Sequence, residues 1–558
     1  MRGAITTFWG KLSGDGPTRE WHPLLDHCAD VAACCEALLS QTLLGERLSA
    51  LGGVGALDEA HIARLGVLAA LHDLGKYNAG FQRKADDERA TCGHVREILA
   101  LFGGGYDKET ERLTWALPVD TFDRWGTDGT AFKLLIAAIG HHGRPHSVDG
   151  VIPLKTARIW DADPRHDPFA GIAELVAATR RWFPAAFESG GPPLPTTSRF
   201  QHGFAGLVML ADWLGSHVGL FPYSAELHSD RMRVARERAR RALEVVGLDL
   251  SRPRQALGPT RPGFSTISAH RIPQPAQETT GQLPLDRGGA LTILEAETGS
   301  GKTEAAILRY IQLFQAGLVD GLYFALPTRT AATQIHGRVR DAVARAFPEG
   351  ARPPVVLAVP GYLRVDDQEG TRLPGFEVLW NDDPRQRYRY RGWAAESSKR
   401  YLAGAIVVGT IDQVLLSTIM TSHAHLRATA ASRQLLVVDE AHASDAYMNR
   451  LLEEVLAFHL AAGGHAFLMS ATLGATRACA APGRDRGERG VPQARRGESA
   501  PVPDDHLRAA GGRGRRSRSL KDHGPSPDGS HPGSSRSRTN PPLSRRMRWR
   551  PRPGARGC

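Results

Sequence analysis

The segment Leu291-Thr292-Ile293-Leu294-Glu295-Ala296-Glu297-Thr298-Gly299-Ser300-Gly301-Lys302-Thr303 decides the fold of the second half of this chain. A short apolar run reads as a buried strand. It is followed by a glycine-rich turn and a segment with Ile307, Tyr310, Ile311 and Phe314 on one face, which ends at Gly317. Strand, loop and helix in that order form a phosphate loop, in which backbone N–H groups and a helix N-terminus cradle phosphates. Lys302 is placed to contact the β/γ-phosphates and the Thr303 hydroxyl to bind Mg²⁺. Thr298, Gly299, Ser300 and Gly301 supply the backbone of the loop, with Ala296 where a first glycine is usual.

Further apolar runs cover residues 322–326, 355–359, 406–408, 435–438 and 466–469, several of them separated by helical stretches. Buried strands alternating with helices predict a parallel α/β sheet. Asp439-Glu440-Ala441-His442 follows one run, where a carboxylate faces the nucleotide crevice. Asp439 would hold Mg²⁺ and Glu440 would polarise the attacking water. Gln277, or equally Gln274, stands about 20 residues before the loop as a candidate adenine reader.

Upstream the texture is helical. Apolar residues recur every three or four positions in residues 24–44, 62–74, 132–139 and 204–218, and no alternating strand is evident. Within this region lie His27, the doublet His72-Asp73 in Leu-His-Asp-Leu-Gly-Lys, then His94, the doublet His141-His142, and Asp212 in Ala-Asp-Trp-Leu-Gly-Ser. Imidazoles and carboxylates together suit divalent transition metals. Two such ions about 4 Å apart can clamp a phosphodiester and generate hydroxide. Among the 22 histidines, His61, His146, His202 and His217 have no matching role and read as surface or packing residues.

Together these strings resemble the CRISPR-associated nuclease–helicases. The order His27, His72-Asp73-x-Gly75-Lys76, Phe81-Gln82, His94, His141-His142, Asp212-x-x-x-Ser216 resembles their HD nuclease domain. That resemblance implies one metal held by His27, His72, Asp73 and Asp212, and a second held by His94, His141 and His142, with Asp73 bridging. Lys76 and Ser216 would lie close by, positioning phosphate or water. The implied ions are Fe, Mn, Ni or Co, beside ATP and Mg at the phosphate loop. Downstream, Pro327-Thr328-Arg329, Gly409-Thr410-x-Asp412-Gln413 and Ser470-Ala471-Thr472 resemble helicase motifs Ia, Ib and III, which grip a single strand and couple it to ATP. Residues 393–400, from Trp393 through Glu396 to Arg400, resemble the CRISPR-associated branch of the DEAH helicases. The resemblance covers residues 15–475. It implies a type I interference enzyme that an RNA-guided surveillance complex recruits to an R-loop. Such an enzyme nicks single-stranded DNA at the HD site and unwinds 3′ to 5′ with ATP.

The expected organisation is therefore multidomain: an all-α HD nuclease domain (1–235), a Pro/Gln/Arg-rich linker (236–285), an α/β RecA-like ATP-binding lobe (286–476) and a disordered tail (477–558). The tail carries 19 Arg and one Lys against seven acidic residues, and only five Val, Leu, Ile or Phe. It therefore cannot bury enough surface to fold. It also accounts for the net charge of +11, since the preceding residues sum to about −2. Any nucleic-acid site in the body is then a local groove. The tail's composition reads as out-of-frame coding sequence beginning near residue 476, or alternatively as an arginine-rich arm. Members of the family continue into a second helicase lobe; a chain without it would bind nucleotide weakly and unwind poorly. No apolar run approaches the roughly 18 residues of a membrane span. No signal peptide is evident, and six cysteines form no disulfide framework, so a cytoplasmic location is expected. Two rivals remain: an HD phosphohydrolase of nucleotides, and a non-catalytic fragment that binds nucleic acid through its tail.

Overall fold

The computed structural model describes residues 7–13, 20–86, 92–103, 107–143, 157–224, 230–270, 272–372, 378–380, 390–441 and 445–471. His146, His442, Thr472 and the whole tail from residue 477 lie outside them.

The first region is helical, with five helices framing its centre: α1 (Leu24–Gln41), α2 (Glu59–Ala70), α3 (Thr130–Ile139), α4 (Ser198–Gly215) and α5 (Arg231–Val246). Local chemistry starts them where the sequence changes. Asp58 and His61 cap α2 reciprocally, the Asp58 carboxylate accepting the His61 N–H at 2.8 Å. The Thr197 hydroxyl accepts the Phe200 N–H at 3.1 Å to start α4. α1 packs against α2, α4 and α5, its Cys28, Cys34 and Cys35 buried in the core. The absence of strands expected here does not hold. Trp9–Leu12 (β1) and Trp21–Pro23 (β2) form a short antiparallel pair. Gln82 explains its placement: its side-chain amide accepts the Trp9 N–H and donates to the Trp9 carbonyl, a long-range contact with no local signature. α5 runs to Val246, past residue 235, because Met232, Ala235, Ala239, Ala242 and Leu243 face α1.

The second region is a mixed sheet. Its strands are β3 (Ala290–Glu295), β4 (Gly321–Leu326), β5 (Val355–Ala358), β6 (Arg364–Val365), β7 (Gln368–Arg372), β8 (Val378–Trp380), β9 (Ile406–Thr410), β10 (Gln434–Val438) and β11 (His465–Ser470). The order is β3-β11-β10-β4-β9-β5-β6-β7-β8, parallel through β5 and antiparallel beyond. The six parallel strands coincide with the six apolar runs. Of the three antiparallel strands, β6 is Arg-Val and β7 is Gln-Glu-Gly-Thr-Arg, and the apolar β8 is only three residues long.

Strand alternation builds two cores. Leu322, Phe324 and Leu326 face α6 (Lys302–Gln315) and α7 (Arg329–Ala346). Tyr323, Ala325, Leu436 and Val438 face the other way, into a core continuous with the helical region. α8 (Ala424–Ser432) and α9 (Ala446–Ala461) line that side, with α8 packed on α4. Among the described residues no single helix is long and apolar enough to cross a membrane.

Candidate metal centre and nucleotide site

The helical region brings seven predicted ligands to one place. His72 and Asp73 lie in the 3-10 turn Leu71–Tyr77 that follows α2, His27 comes from α1, and Asp212 from α4. His94 stands at the cap of helix Val95–Phe102, and His141 and His142 follow α3. The glycine of His-Asp-x-Gly has a steric reason: a Cβ on Gly75 would lie 1.8 Å from the His94 carbonyl oxygen. Only glycine lets the two ligand-bearing turns approach so closely.

Asp73 is central. Its Oδ2 lies 3.0 Å from His27 Nε2 and 3.2 Å from His72 Nε2, and its Oδ1 lies 3.5 Å from His94 Nε2 and 3.6 Å from His141 Nε2. Asp212 Oδ1 stands 3.6 Å from His27 Nε2 and 3.8 Å from His72 Nε2. His94 Nε2 and His142 Nε2 are 2.9 Å apart. Two groups of donor atoms result, each compact enough to hold an ion: His27, His72 and Asp73; and Asp73, His94, His141 and His142.

The buried donor set fits metal ions. His72 Nδ1–H donates to the Ala69 carbonyl (2.8 Å) and His141 Nδ1–H to the Ala138 carbonyl (3.1 Å). Each bond fixes the tautomer and leaves an Nε2 lone pair aimed inward. Those two Nε2 atoms and Asp73 Oδ1 are buried with no hydrogen-bond partner. Such orphaned acceptors cost about 1–3 kcal/mol each unless something coordinates them.

Electrostatics agree at Asp73, His94 and His141 and run the other way at His72. Burial alone would raise the Asp73 carboxyl, but Lys76 and the His72 and His27 groups hold it well below the usual carboxylate range. Burial pushes His94 down to about 4 and His141 to about 3, so both rings are neutral at pH 7. Burial would also lower His72, but the Asp73 and Asp212 carboxylates override it and raise the ring. Lys76 Nζ sits 2.6 Å from Asp73 Oδ2 and donates to the Gly10 carbonyl (3.1 Å). The Ser216 hydroxyl donates to Asp212 Oδ1 (2.9 Å). Sequence reading missed Lys11 on β1, half-buried with its ammonium donating to the Gly215 carbonyl and its pKa drawn down by desolvation to about 8. No motif surrounds it. Of the histidines set aside on sequence grounds, His61 is buried, His202 is half-buried, and His217 contacts Tyr390.

At the carboxyl edge of the sheet, Gly299 (φ +86°) and Gly301 (φ +81°) turn the loop between β3 and α6. Thr298 and Gly299 are exposed, whereas Lys302 and Thr303 are buried. Lys302 Nζ donates to the Ala296 carbonyl (2.7 Å), and Ser300 Oγ to the Glu297 carbonyl (2.7 Å). Gln277 is buried. Its amide nitrogen donates to the Gly301 carbonyl (3.2 Å), and its oxygen accepts the Gln274 N–H (2.8 Å). Gln277 therefore contacts the loop directly, while Gln274 caps the helix Pro275–Gln282. Asp439 and Glu440 follow β10, two strands from β3. Burial and the adjacent Glu440 raise the Asp439 carboxyl. Glu440 holds a positive φ of 52°, an uncommon conformation for a side chain of that size.

A helical domain with a two-group His/Asp cluster, continuous with an α/β lobe bearing a phosphate loop, has the architecture of an HD domain joined to a helicase-type lobe. Residues 9–221 match the family model for the HD domain of Cas3. The chain is 29% identical over 507 residues to the CRISPR-associated endonuclease/helicase Cas3 of Escherichia coli (strain K12), covering 84% of this chain and 54% of that protein. It is 31% identical over 510 residues to the Thermus thermophilus protein of the same name, covering 85% and 50%. A crystal structure of a CRISPR-associated protein superposes with a TM-score of 0.63 at 28% identity, over 87% of this chain and 55% of that one. T. fusca Cas3 with ADP shares the fold, with a TM-score of 0.61 at 24% identity over 85% and 51%. Residues 9–221 thus resemble the HD domain of Cas3, and the chain is similar to the Cas3 nuclease/helicases along most of its own length. It spans about half the length of the curated relatives it matches.

Proposed function

We propose that this chain cuts single-stranded DNA at a two-metal HD centre, beside a lobe that binds ATP and grips the strand, in CRISPR antiviral defence. The observation that carries the reading is Asp73, a buried carboxylate whose two oxygens face two separate histidine groups. A pair of bound transition-metal ions would supply a hydroxide near neutral pH and withdraw charge from a phosphodiester.

The chain's own residues set that chemistry. His27, His72 and Asp212 hold one group with Asp73 Oδ2; His94, His141 and His142 hold the other with Asp73 Oδ1. The Ser216 hydroxyl fixes the rotamer of Asp212. Lys76 neutralises the crowded carboxylates and can reach a phosphate oxygen. In the lobe, Thr298, Gly299, Ser300 and Gly301 present backbone N–H groups to phosphates, Lys302 and Thr303 follow them at the helix start, and Gln277 braces the loop from behind. Asp439 would hold Mg²⁺ and Glu440 would orient water. The residues resembling motifs Ia and Ib, at the ends of β4 and β9, lie beside one another because those strands pair, Leu326 opposite Thr410. The substrate class is a single strand of an R-loop, and the partner is the RNA-guided surveillance complex. One solved structure of that complex in a pre-nicking state shares this fold, with a TM-score of 0.52.

The test is incubation of the purified chain with Mn²⁺, Co²⁺, Ni²⁺ or Fe²⁺, without ATP, on labelled single-stranded DNA and on free nucleotides. Cleavage of the DNA with nucleotides left intact is expected. Dephosphorylation of nucleotides without DNA cleavage would make the chain a phosphohydrolase instead.

A further inference from the structure

The metal centre belongs to the helical domain, yet two of its arms rest on the lobe. The first arm is the turn of His141, His142 and Gly143. The backbone N–H of His423, at the start of α8, donates to the Gly143 carbonyl at 3.0 Å. Gly143 holds a φ of 141°, and a Cβ there would lie 3.2 Å from the Ser422 Cβ. His423 itself takes a positive φ of 64°, a conformation that costs a non-glycine residue energy and persists only where the surroundings enforce it. The enforcement is visible: the Arg427 guanidinium donates to the Ser422 carbonyl at 3.0 Å. The second arm is α4, which carries Asp212. The ring of its neighbour Trp213 lies 5.1 Å from the His423 ring, and the Arg400 guanidinium stands 5.7 Å over the same indole. On the lobe side, residues 416–420 join this segment directly to Asp412 and Gln413.

We propose that residues 421–427 of the lobe are a positioning element of the metal centre. The His423 amide holds the His141–His142 turn against His94 and Asp73, and so sets the affinity of that one metal group. The inference rests on reading the HD site as a metal centre. Its consequence is that the end of the lobe bearing Asp412 and Gln413 is joined through one short segment to half of the metal centre. Any coupling through that connection is reciprocal.

Cobalt(II) titration of the full chain, followed by calorimetry and visible absorption, tests this. His423→Pro removes the N–H and fixes φ near −65°. His423→Gly keeps the N–H and enters positive φ freely. Two binding steps at equal affinity are expected for the wild type and His423→Gly. In His423→Pro, one step should weaken at least tenfold and the other stay unchanged. Because the proline variant could misfold, Gly143→Ala addresses the same contact from the other side. It should weaken the same step, through the strained φ at residue 143 as well as through the contact with Ser422, and leave the other step unchanged. Two unchanged steps in both variants would overturn the positioning role and leave the metal centre standing. Loss of both steps in both variants would overturn it too, by showing only general structural support. A wild type that binds no cobalt would overturn the metal reading itself.

Discussion

At the residue scale, His72-Asp73, His141-His142 and Asp212 stood out because each sits in a short string, whereas His27 and His94 stand alone in the sequence. What the strings could not show is which oxygen of Asp73 faces which histidines, or that the Ala69 and Ala138 carbonyls fix two tautomers. Those facts depend on how the turns after α2 and α3 meet. The phosphate loop was more fully legible, being local in sequence. Its sharpest residue-level consequence lies at Gly301, where a Cβ would sit 2.1 Å from Gln277 Nε2 and φ is +81°. Gly301→Ala is expected to weaken binding of a fluorescent ATP analogue by tenfold or more, measured by anisotropy, with the far-UV spectrum unchanged.

A pair of histidines shows the limit of reading residues singly. His202 looked like a spare; in the fold its Nδ1 meets His425 Nδ1 at 2.7 Å, between α4 and α8. Burial, with a smaller contribution from His425, pushes His202 down to about 3. In an unfolded chain it titrates near 6.5, so the folded state binds fewer protons between those values. The stability that His202 contributes is complete above about pH 6.5 and is lost as pH falls from there toward 3. Between pH 6.5 and 5 the loss amounts to roughly 2 kcal/mol. Thermal denaturation across that range should show a falling Tm, with a shallower slope in His202→Gln.

At the element scale, the six parallel strands were legible as apolar runs, and four of the five framing helices by apolar residues every three or four positions; α5 was not, since most of it falls in the expected linker. Nor were β1, β2 and β6 to β8. They are short, and their pairing is fixed by distant partners such as Gln82 rather than by their own pattern. The α4–α8 contact was equally hidden. It depends on Gly206 letting two helices of different domains approach, with Thr429 Oγ1 donating to the Gly203 carbonyl at 3.0 Å. A Cβ on Gly206 would lie 2.2 Å from the His425 carbonyl oxygen and 2.3 Å from Thr429 Oγ1. Gly206→Ala is therefore expected to cost about 1–3 kcal/mol by overpacking, read as a lower urea midpoint at unchanged slope.

At the scale of the whole molecule, the sheet uses one face for its own helices and the other to continue the core of the helical domain. Composition could separate the regions but could not show that they share a core, since both faces of a buried parallel strand read alike. Composition does locate the charge: residues 477–558 hold +13 of net charge, and the remainder is close to neutral. Deleting 477–558 should leave single-strand cleavage at moderate salt intact. It should lower non-specific DNA affinity and flatten its salt dependence, by about 0.7–0.9 in log–log slope for each phosphate no longer neutralised. A filter-binding series across salt concentrations would measure it.

The central claim is that one buried carboxylate joins two metal groups. Its most direct measurement is the number of Co²⁺ ions bound per chain, by calorimetry, in the wild type and in Asp73→Ala. Two ions in the wild type are expected, with both affinities falling at least tenfold in the variant, because each group loses an oxygen. An Asp73→Ala chain that still binds two ions at wild-type affinity would contradict the account.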